Sequence, residues 1–313
     1  MVFLRRRRLL RYLLLSTTLA LLLLISSFWL PQGEQGNCGS LWQPCLNNFR
    51  QTPLDPPVLA EWLQTEEEEE EAVFIKECPG QTFQARKLLL YLRSSLAEDG
   101  EDILLEPYLL SWDQLLNFME SLGTMVSLFS QKVKEKTELI RELSLKHGLE
   151  FQRESAGSSG QQATAAFGSK TGVYRSVRSM VEGELKAGQV NFSYRTDSGC
   201  RTLLRLHRSL LWLKMMLEGL SKGPDSEGRY KTPGELSRDA YKVALAPHHP
   251  WMLRQAAEIV FLALPDREYF LQLVCVKKQE EATPVLRIII QALSVVHTRT
   301  QRILKKYDML ELP

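Results

Sequence analysis

The sequence lacks the motifs by which most enzymes are recognised. Its 313 residues contain no H-E-x-x-H, no C-x-x-C, no G-x-S-x-G, no Walker phosphate loop and no dinucleotide-binding fingerprint. Neither sign of charge is in excess, since 39 lysine and arginine residues stand against 37 aspartate and glutamate residues. This balance excludes a broad nucleic-acid-binding surface. The sequence therefore predicts a protein that is not an enzyme, uses no cofactor and binds no nucleic acid.

Cysteine is sparse, and the histidines are not arranged for metal binding. Five cysteines are few for a chain of this length, and an odd number of them does not suit a disulfide scaffold. Cys200 and Cys275 lie in helical patterns and are interpreted as small buried residues. His248 and His249 adjoin each other, but no carboxylate or cysteine lies at ligand spacing around them, so no metal site is predicted. A histidine beside Trp251 at a helix start suits anion binding or contact with a membrane interface instead.

A long hydrophobic run lies near the amino terminus. Residues 1–30 contain four consecutive arginines and a fifth at Arg11, followed by 19 uncharged residues at 12–30. A run of this length just spans a bilayer, so residues 9–30 are predicted to associate with a membrane, as a signal anchor, a cleaved signal peptide or a peripheral segment. The positive-inside rule would place everything after Pro31 on the lumenal side. Asn191 opens a glycosylation sequon that matters only in that case.

Two regions follow the hydrophobic run. Residues 31–80 are interpreted as a disordered acidic linker, because prolines are scattered through them and six glutamates stand together at 66–71. Helical periodicity begins after residue 81 and continues to the end, so residues 81–313 are predicted to be one all-α domain. Pro250 and Pro284 are expected to open their helices. The predicted helices are 83–97, 103–122, 124–143, 173–186, 200–220, 234–246, 250–264, 267–276 and 284–307, with surface loops at 154–171 and 221–233.

The predicted helix 200–220 has two opposed stripes. One is made of leucine and must be buried. The other carries arginines and a tryptophan, and the simplest interpretation makes it the solvated back of a core helix. The leucines are Leu203, Leu206, Leu210, Leu213 and Leu217, and the opposed residues are Arg201, Arg205, Arg208 and Trp212.

The predicted helix 124–143 has an unusual feature in its apolar half. Lys132 and Lys136 lie within the arc formed by its hydrophobic side chains. A lysine on a buried face is unfavourable unless it snorkels to water, changes its pKa or meets an anion. Snorkelling and an anion held by cations from two helices both remain open.

Several long matches make the chain resemble the glycolipid transfer protein superfamily, and within it the branch that transfers ceramide-1-phosphate. The resemblance covers residues 80–313. It rests on ILLEPYLLSWDQLLNFMESLGT (103–124), YRSVRSMVEGEL (174–185), SGCRTLLRLHRSLLWLKMMLEGL (198–220), HHPWMLRQA (248–256), ALPDREYFL (263–271) and the terminal MLELP. It implies a two-layer all-helical sandwich that takes lipid chains between its layers and holds the head group in a surface cleft.

The resemblance also implies which residues bind the head group. Carried over by position, these are Lys136, Arg201, Arg205 and His249. The aspartate of the family pattern is replaced here by Lys132, which offers donors only and is expected to weaken discrimination for the ceramide amide. The cluster of Lys132, Lys136, Arg201 and Arg205 favours a phosphomonoester over a sugar, since an arginine fork matches phosphate. Ceramide-1-phosphate is thus the expected cargo.

Two further expectations concern membranes. Trp251 is predicted to contact the bilayer during lipid uptake. The family resemblance favours a cytosol-facing domain, whereas the charge rule favours a lumenal or secreted one. A membrane-anchored sensor that binds its lipid without transferring it is the alternative function, motivated by Lys132 and by the anchor. An enzyme acting on sphingolipids is disfavoured by the absence of catalytic motifs.

Overall fold

The structure is a computed structural model that describes residues 74–156 and 172–313. These residues form nine α-helices and no strand, with two isolated β-bridges and two short 3-10 turns, Ala246–His248 and Met309–Glu311. The predicted all-α class is confirmed. The helices are α1 (Ala85–Ser94), α2 (Leu105–Ser121), α3 (Thr124–Ala156), α4 (Val177–Lys186), α5 (Gly199–Ser221), α6 (Pro233–Ala244), α7 (Trp251–Leu262), α8 (Arg267–Gln272) and α9 (Gln279–Lys306).

Several helices begin at side chains that satisfy their free N–H groups. The Ser198 hydroxyl accepts from the Arg201 N–H at the start of α5. Thr232 and Glu235 form a reciprocal capping box at the start of α6, where Pro233 occupies a position that needs no N–H. These local signals place the starts of both helices within one residue of the sequence-based prediction.

The helices form two layers around one core. Helices α1, α2 and α3 pack against one another in chain order, and α5 packs against α6 and α9. Contacts of α5 with α3 and of α9 with α1 join these two groups. All five leucines of the predicted α5 stripe are buried. The two-layer sandwich is therefore organised around α5, whose opposite side carries the arginines.

Most helix boundaries differ from the prediction by one to four residues, as where α4 begins at Val177 rather than at 173, and three differ by more or for a reason that matters here. Helix α9 begins at Gln279, so Pro284 lies inside it rather than at its start. The residues before Pro284 are mostly polar, so apolar periodicity did not indicate the first turn of α9. Glu280 and Glu281 in that turn nevertheless favour a helix start electrostatically. Helix α3 continues to Ala156, well beyond residue 143.

The helix predicted at 267–276 ends at Gln272, and Cys275 lies in the loop after it. The backbone of Cys275 is in the left-handed region, with a φ of 58°, which a right-handed α-helix does not accommodate. The interpretation of Cys275 as a small buried helical residue is wrong, because it forms a disulfide with Cys78. Ile75 and Cys78, placed in the linker by the sequence prediction, are buried in the domain.

No helix within 74–156 and 172–313 is both long enough and apolar enough to cross a membrane. The predicted membrane segment at 9–30 and the glutamate run at 66–71 lie outside the described residues, and both remain predictions.

Candidate anion-binding site

Three arginines of α5 line one side of a polar cleft. Arg201, Arg205 and Arg208 are only partly exposed, so this face of α5 is not a solvated back. Arg201 Nε donates to the Pro313 backbone oxygen at 2.7 Å, and an Arg205 guanidinium nitrogen donates to the same oxygen at 3.3 Å. Arg208 donates to the Leu310 carbonyl oxygen at 2.9 Å. The last four residues thus lie across the arginine stripe.

The arginines are close enough to disfavour one another's charge. Burial, followed by repulsion from Arg201, Arg195 and Arg208, lowers the pKa of Arg205 from 12.5 to about 10. Burial and then Arg195 also lower the pKa of Arg201, which Asp197 partly offsets. Both groups remain protonated at neutral pH. The cleft therefore holds a concentration of positive charge that an anion would relieve.

Lys136 reaches the arginines from α3. Its ammonium group donates to the Lys132 carbonyl oxygen at 2.6 Å, and its side chain is partly buried. Burial, followed by repulsion from Arg205, lowers the pKa of Lys136 from 10.5 to about 8. Arg201 and Lys132 add smaller repulsions, and Glu135 opposes them. Two neighbouring helices thus bring their cations to one place.

Lys132 faces water. Its side chain is 66% exposed, and its ammonium group pairs with Glu135 at 2.8 Å on the same helix. Since an exposed pair of this kind contributes little stability, it leaves Lys132 free to exchange partners. Of the two lysines in the apolar arc of α3, Lys132 snorkels to solvent, whereas Lys136 is held among other cations.

His249 faces the same cleft from the segment before α7. Its Nδ1 lies 2.9 Å from the Tyr241 hydroxyl, which orients the ring. Burial, followed by repulsion from His248, Lys136 and Arg205, lowers the pKa of His249 to about 4. Burial raises the pKa of Tyr241 to about 12, so its hydroxyl stays protonated. In the tautomer where the Tyr241 hydroxyl donates to Nδ1, Nε2 of the neutral ring carries the proton and is a donor for an anion.

The adjacent histidines His248 and His249 raise the question of whether a metal ion could bind there. Within the described parts of the chain, no group of three or more histidine, cysteine or acidic side chains is placed to hold a metal ion. Lys136, Arg205 and Arg208 all disfavour a positive charge on His249. The surroundings of His249 therefore disfavour any further positive charge beside it.

An apolar patch runs along α7, from Trp251 at the start of the helix to Leu262 at its end. Trp251 is 65% exposed, and Leu262 is 79% exposed. Met252 and Ile259 are also exposed, and the four residues share one side of α7 at helical spacing. We call this surface the α7 patch.

A small apolar cavity of about 20 Å³ lies in the interior, away from the charged cleft. Its walls come from α1, α2, α5, α8, α9 and the two segments that contain Phe83 and Val274. Its lining residues are all apolar: Phe83, Leu88, Leu115, Phe118, Leu213, Leu217, Leu220, Phe270, Leu271, Val274, Leu286 and Ile289. Leu213 and Leu217 belong to the stripe of α5 opposite the arginines, so α5 faces both the cavity and the cleft.

Sequence reasoning did not assign Arg208 or Tyr241 to the site. Arg208 continues the spacing of Arg201 and Arg205 along α5, a signal that was present in the sequence. Tyr241 lies on α6, and nothing in its local pattern shows that it contacts His249. The residues of the terminal 310–313 segment were noticed only as part of the resemblance.

Cationic residues from two layers of an all-helical sandwich, with an apolar cavity inside, define a helical protein with a cationic, anion-binding type of cleft. The chain belongs to the glycolipid transfer protein family, whose model, described as "Glycolipid transfer protein (GLTP)", matches residues 103–276. The resemblance stated from the sequence is thereby confirmed.

The proteins similar to this chain include ceramide-1-phosphate transfer proteins. The chain is 34% identical over 234 residues to the ceramide-1-phosphate transfer protein of Xenopus laevis, covering 74% of this chain and 97% of that protein. The crystal structure of human ceramide-1-phosphate transfer protein in complex with 12:0 ceramide-1-phosphate superposes with a TM-score of 0.58 at 33% identity, covering 72% of this chain and 97% of that one. The mouse protein in its apo form gives a TM-score of 0.59 at 30% identity, covering 74% of this chain and all of that one.

Proposed function

We propose that this protein binds ceramide-1-phosphate and transfers it between membranes. The observation that carries the proposal is the convergence of Lys136, Arg201, Arg205 and His249 on one cleft, where burial and mutual repulsion lower each pKa. Relatives at 32–34% identity bear the name ceramide-1-phosphate transfer protein. A phosphomonoester carries a charge of about −1.5 to −2 at neutral pH, which suits this cluster.

The geometry of the donors favours phosphate over a sugar head group. Arg201 and Arg205 present forks that match two phosphate oxygens each, whereas a pyranose ring is bound better on an aromatic face. Both arginines donate to the Pro313 backbone oxygen. A phosphomonoester carries a charge of about −1.5 to −2 and offers three acceptor oxygens, so we expect it to compete for those donors.

Lys132 is the least committed member of the proposed head-group site. Its pairing with Glu135 holds it at the exposed edge of the cleft. We propose that it turns towards a bound phosphate by exchanging Glu135 for the anion. Because an ammonium group cannot accept hydrogen bonds, it does not replace the family's acid towards the ceramide amide. Selectivity is therefore expected to depend on the phosphate more than on the ceramide backbone.

The apolar cavity is proposed to widen and receive the lipid chains, since its volume of about 20 Å³ is smaller than one chain. Transfer of a methylene from water to an apolar site contributes about 0.8 kcal/mol, so a ~12-carbon chain contributes on the order of 10 kcal/mol. This exceeds what any one polar contact in the cleft contributes. Affinity is thus expected to come mainly from the chains, and head-group choice from the cleft.

Membrane contact is proposed for the α7 patch. Trp251, with its large exposed side chain, begins the helix next to His249, so the patch lies beside the head-group site. Tryptophan favours the interface between water and lipid. Lasting membrane association is proposed through residues 9–30, with the domain facing the cytosol by resemblance or the lumen by the charge rule.

A vesicle transfer assay with Arg205→Leu and Lys136→Ala tests the proposed site. Both variants should lose transfer of ceramide-1-phosphate while keeping the helical circular dichroism signal of the parent. Lys134→Ala is a matched control, because Lys134 lies on the same helix with half of its side chain exposed. If both site variants transfer as fast as the parent, the assigned cleft is not the head-group site.

The membrane-anchored sensor is the second candidate, favoured by the replacement of an acid by Lys132. It predicts binding of ceramide-1-phosphate without transfer between vesicles. We propose no chemical conversion of the lipid, and unchanged ceramide-1-phosphate after prolonged incubation with the protein is the expected result.

A further inference from the structure

A disulfide joins two segments that are far apart in the sequence. Cys78 lies in the segment that leads into α1, and Cys275 lies in the loop that follows α8, 197 residues later. Their Cα atoms are 5.6 Å apart, which is ordinary for a disulfide. Cys78 is buried, whereas Cys275 is partly exposed. The bond is therefore closed on the Cys78 side and reachable from the Cys275 side.

Hydrogen bonds around the disulfide connect the same two segments. Gln84 receives the Cys78 N–H at 2.9 Å and donates to the Cys78 carbonyl oxygen at 2.7 Å, which folds the segment back on the start of α1. The Gln81 amide donates to the Gln272 carbonyl oxygen at 3.0 Å, across to the end of α8. These weaker contacts hold the segments in register, and the covalent bond prevents them from separating.

Both joined segments are walls of the apolar cavity. Phe83 comes from the Cys78 segment, and Phe270, Leu271 and Val274 come from the α8 side. The other lining residues belong to α1, α2, α5 and α9, which pack as the body of the domain. The disulfide thus lies across the part of the cavity wall that is built from short segments rather than long helices.

We propose that the Cys78–Cys275 disulfide is a redox-controlled clamp on the apolar cavity. In the oxidised protein it limits how far these two walls part, and so limits the entry of apolar chains. In the reduced protein the walls are held only by packing and hydrogen bonds and open more readily. The inference rests on the proposed function for the identity of the chains, while the clamp itself is a property of the cavity.

Reduction by a dithiol is a balanced two-electron step. One thiolate of the reductant attacks the Cys275 sulfur and releases Cys78 as a thiolate, which takes up a proton. The second thiolate of the reductant then attacks its own sulfur in the mixed disulfide. This attack releases Cys275 and leaves the reductant as a disulfide. Cys275 is the sulfur attacked because it is the more accessible of the two.

Peptide mapping of the full chain tests whether the bond forms. After free thiols are blocked, trypsin should yield peptide 77–86 linked to peptide 268–277, and reduction should separate them. Pairing of either cysteine with Cys38 or Cys45 instead, or two unlinked peptides, would overturn the clamp. Reduction should also lower the Tm by about 4–16 °C, from the usual stabilisation by a long-range disulfide.

Uptake of the neutral apolar dye Nile red tests the effect on the cavity. The reduced parent and a Cys78→Ala, Cys275→Ala double variant should take up dye faster than the oxidised parent. Dithiothreitol should change nothing in the double variant, which controls for effects of the reductant elsewhere. Circular dichroism at the assay temperature verifies that each form is folded, and the reduced parent supplies the result if the double variant fails to fold. Equal uptake by the oxidised and reduced parent would overturn the proposal.

The two proposals fail separately. Redox-dependent dye uptake without any transfer of ceramide-1-phosphate would refute the proposed function and support the clamp. Transfer of ceramide-1-phosphate at the same rate in both redox states, with equal dye uptake, would support the function and refute the clamp.

Discussion

Replacing Lys136 with methionine is expected to stabilise the ligand-free protein while removing anion binding. The methionine side chain keeps most of the lysine's apolar volume and carries no charge. In the parent, Lys136 is charged at neutral pH although burial and Arg205 lower its pKa from 10.5 to about 8. The charge is therefore held at a cost that a neutral side chain does not incur.

The size of the effect follows from the linkage between pKa and stability. Lowering the pKa of Lys136 from 10.5 to about 8 corresponds to a loss of at most ~3 kcal/mol in the free energy of unfolding at neutral pH. Because Lys136 is partly exposed, we expect a loss of about 1–3 kcal/mol. A lysine whose pKa is lowered by folding binds fewer protons in the native state than in the unfolded state between these two values. The parent's stability should therefore rise relative to the variant as the pH goes from 8 to 10.5.

Thermal unfolding without ligand measures this effect. At neutral pH, Lys136→Met should raise the Tm by about 2–12 °C, and the gain should diminish above pH 8. Lys134→Met is the matched control, since Lys134 is half exposed on the same helix and should change stability by less than about 0.5 kcal/mol. A variant that is less stable than the parent at neutral pH, or whose gain is independent of pH, would refute the reasoning.

Four other outcomes can be measured. Trp251→Ala should reduce co-sedimentation with phospholipid vesicles and leave the Tm unchanged, because the side chain is 65% exposed. Leu312→Ala should lower the free energy of unfolding by about 2–4 kcal/mol in a denaturant titration, because it empties a buried site beneath the terminal segment. His297, whose pKa burial lowers to about 4, binds fewer protons in the native state than when unfolded, so stability should fall as the pH drops from 6.5 towards 4, and His297→Gln should lessen that fall in thermal melts. Asn191 should carry a glycan, seen as a glycosidase-sensitive mass, if the domain is lumenal, and no glycan if it faces the cytosol.

The core side of α5 was predictable from the sequence alone. Its leucines recur at helical spacing over about four turns, and a stripe of that length has no alternative to burial. Its start was predicted within one residue, and the structure shows that Ser198 caps it. The placement of Arg201 and Arg205 in the cleft, by contrast, came from the family resemblance, since a face opposite the core is ordinarily solvated.

Contacts between distant segments were not predictable from local pattern. Pro313 is hydrogen bonded to Arg201 across 112 positions, and Cys78 is bonded to Cys275 across 197. Periodicity describes which face of an element is apolar, but it does not tell which loops meet in space. The positive φ of Cys275 ends its helix early, and a cysteine gives no sequence signal for that conformation.

The cleft and the core of this protein oppose each other energetically, and α5 couples them. Arg205 and Lys136 are both held where their charged forms are disfavoured. Burial and neighbouring cations lower the pKa of Arg205 to about 10 and that of Lys136 to about 8. Such charges stay in place only because the leucines on the other side of α5 are buried, each contributing about 1.5–3 kcal/mol. An anion relieves the repulsion in the cleft without disturbing that core. Binding of an anion should therefore stabilise the protein beyond the contacts that the anion itself makes.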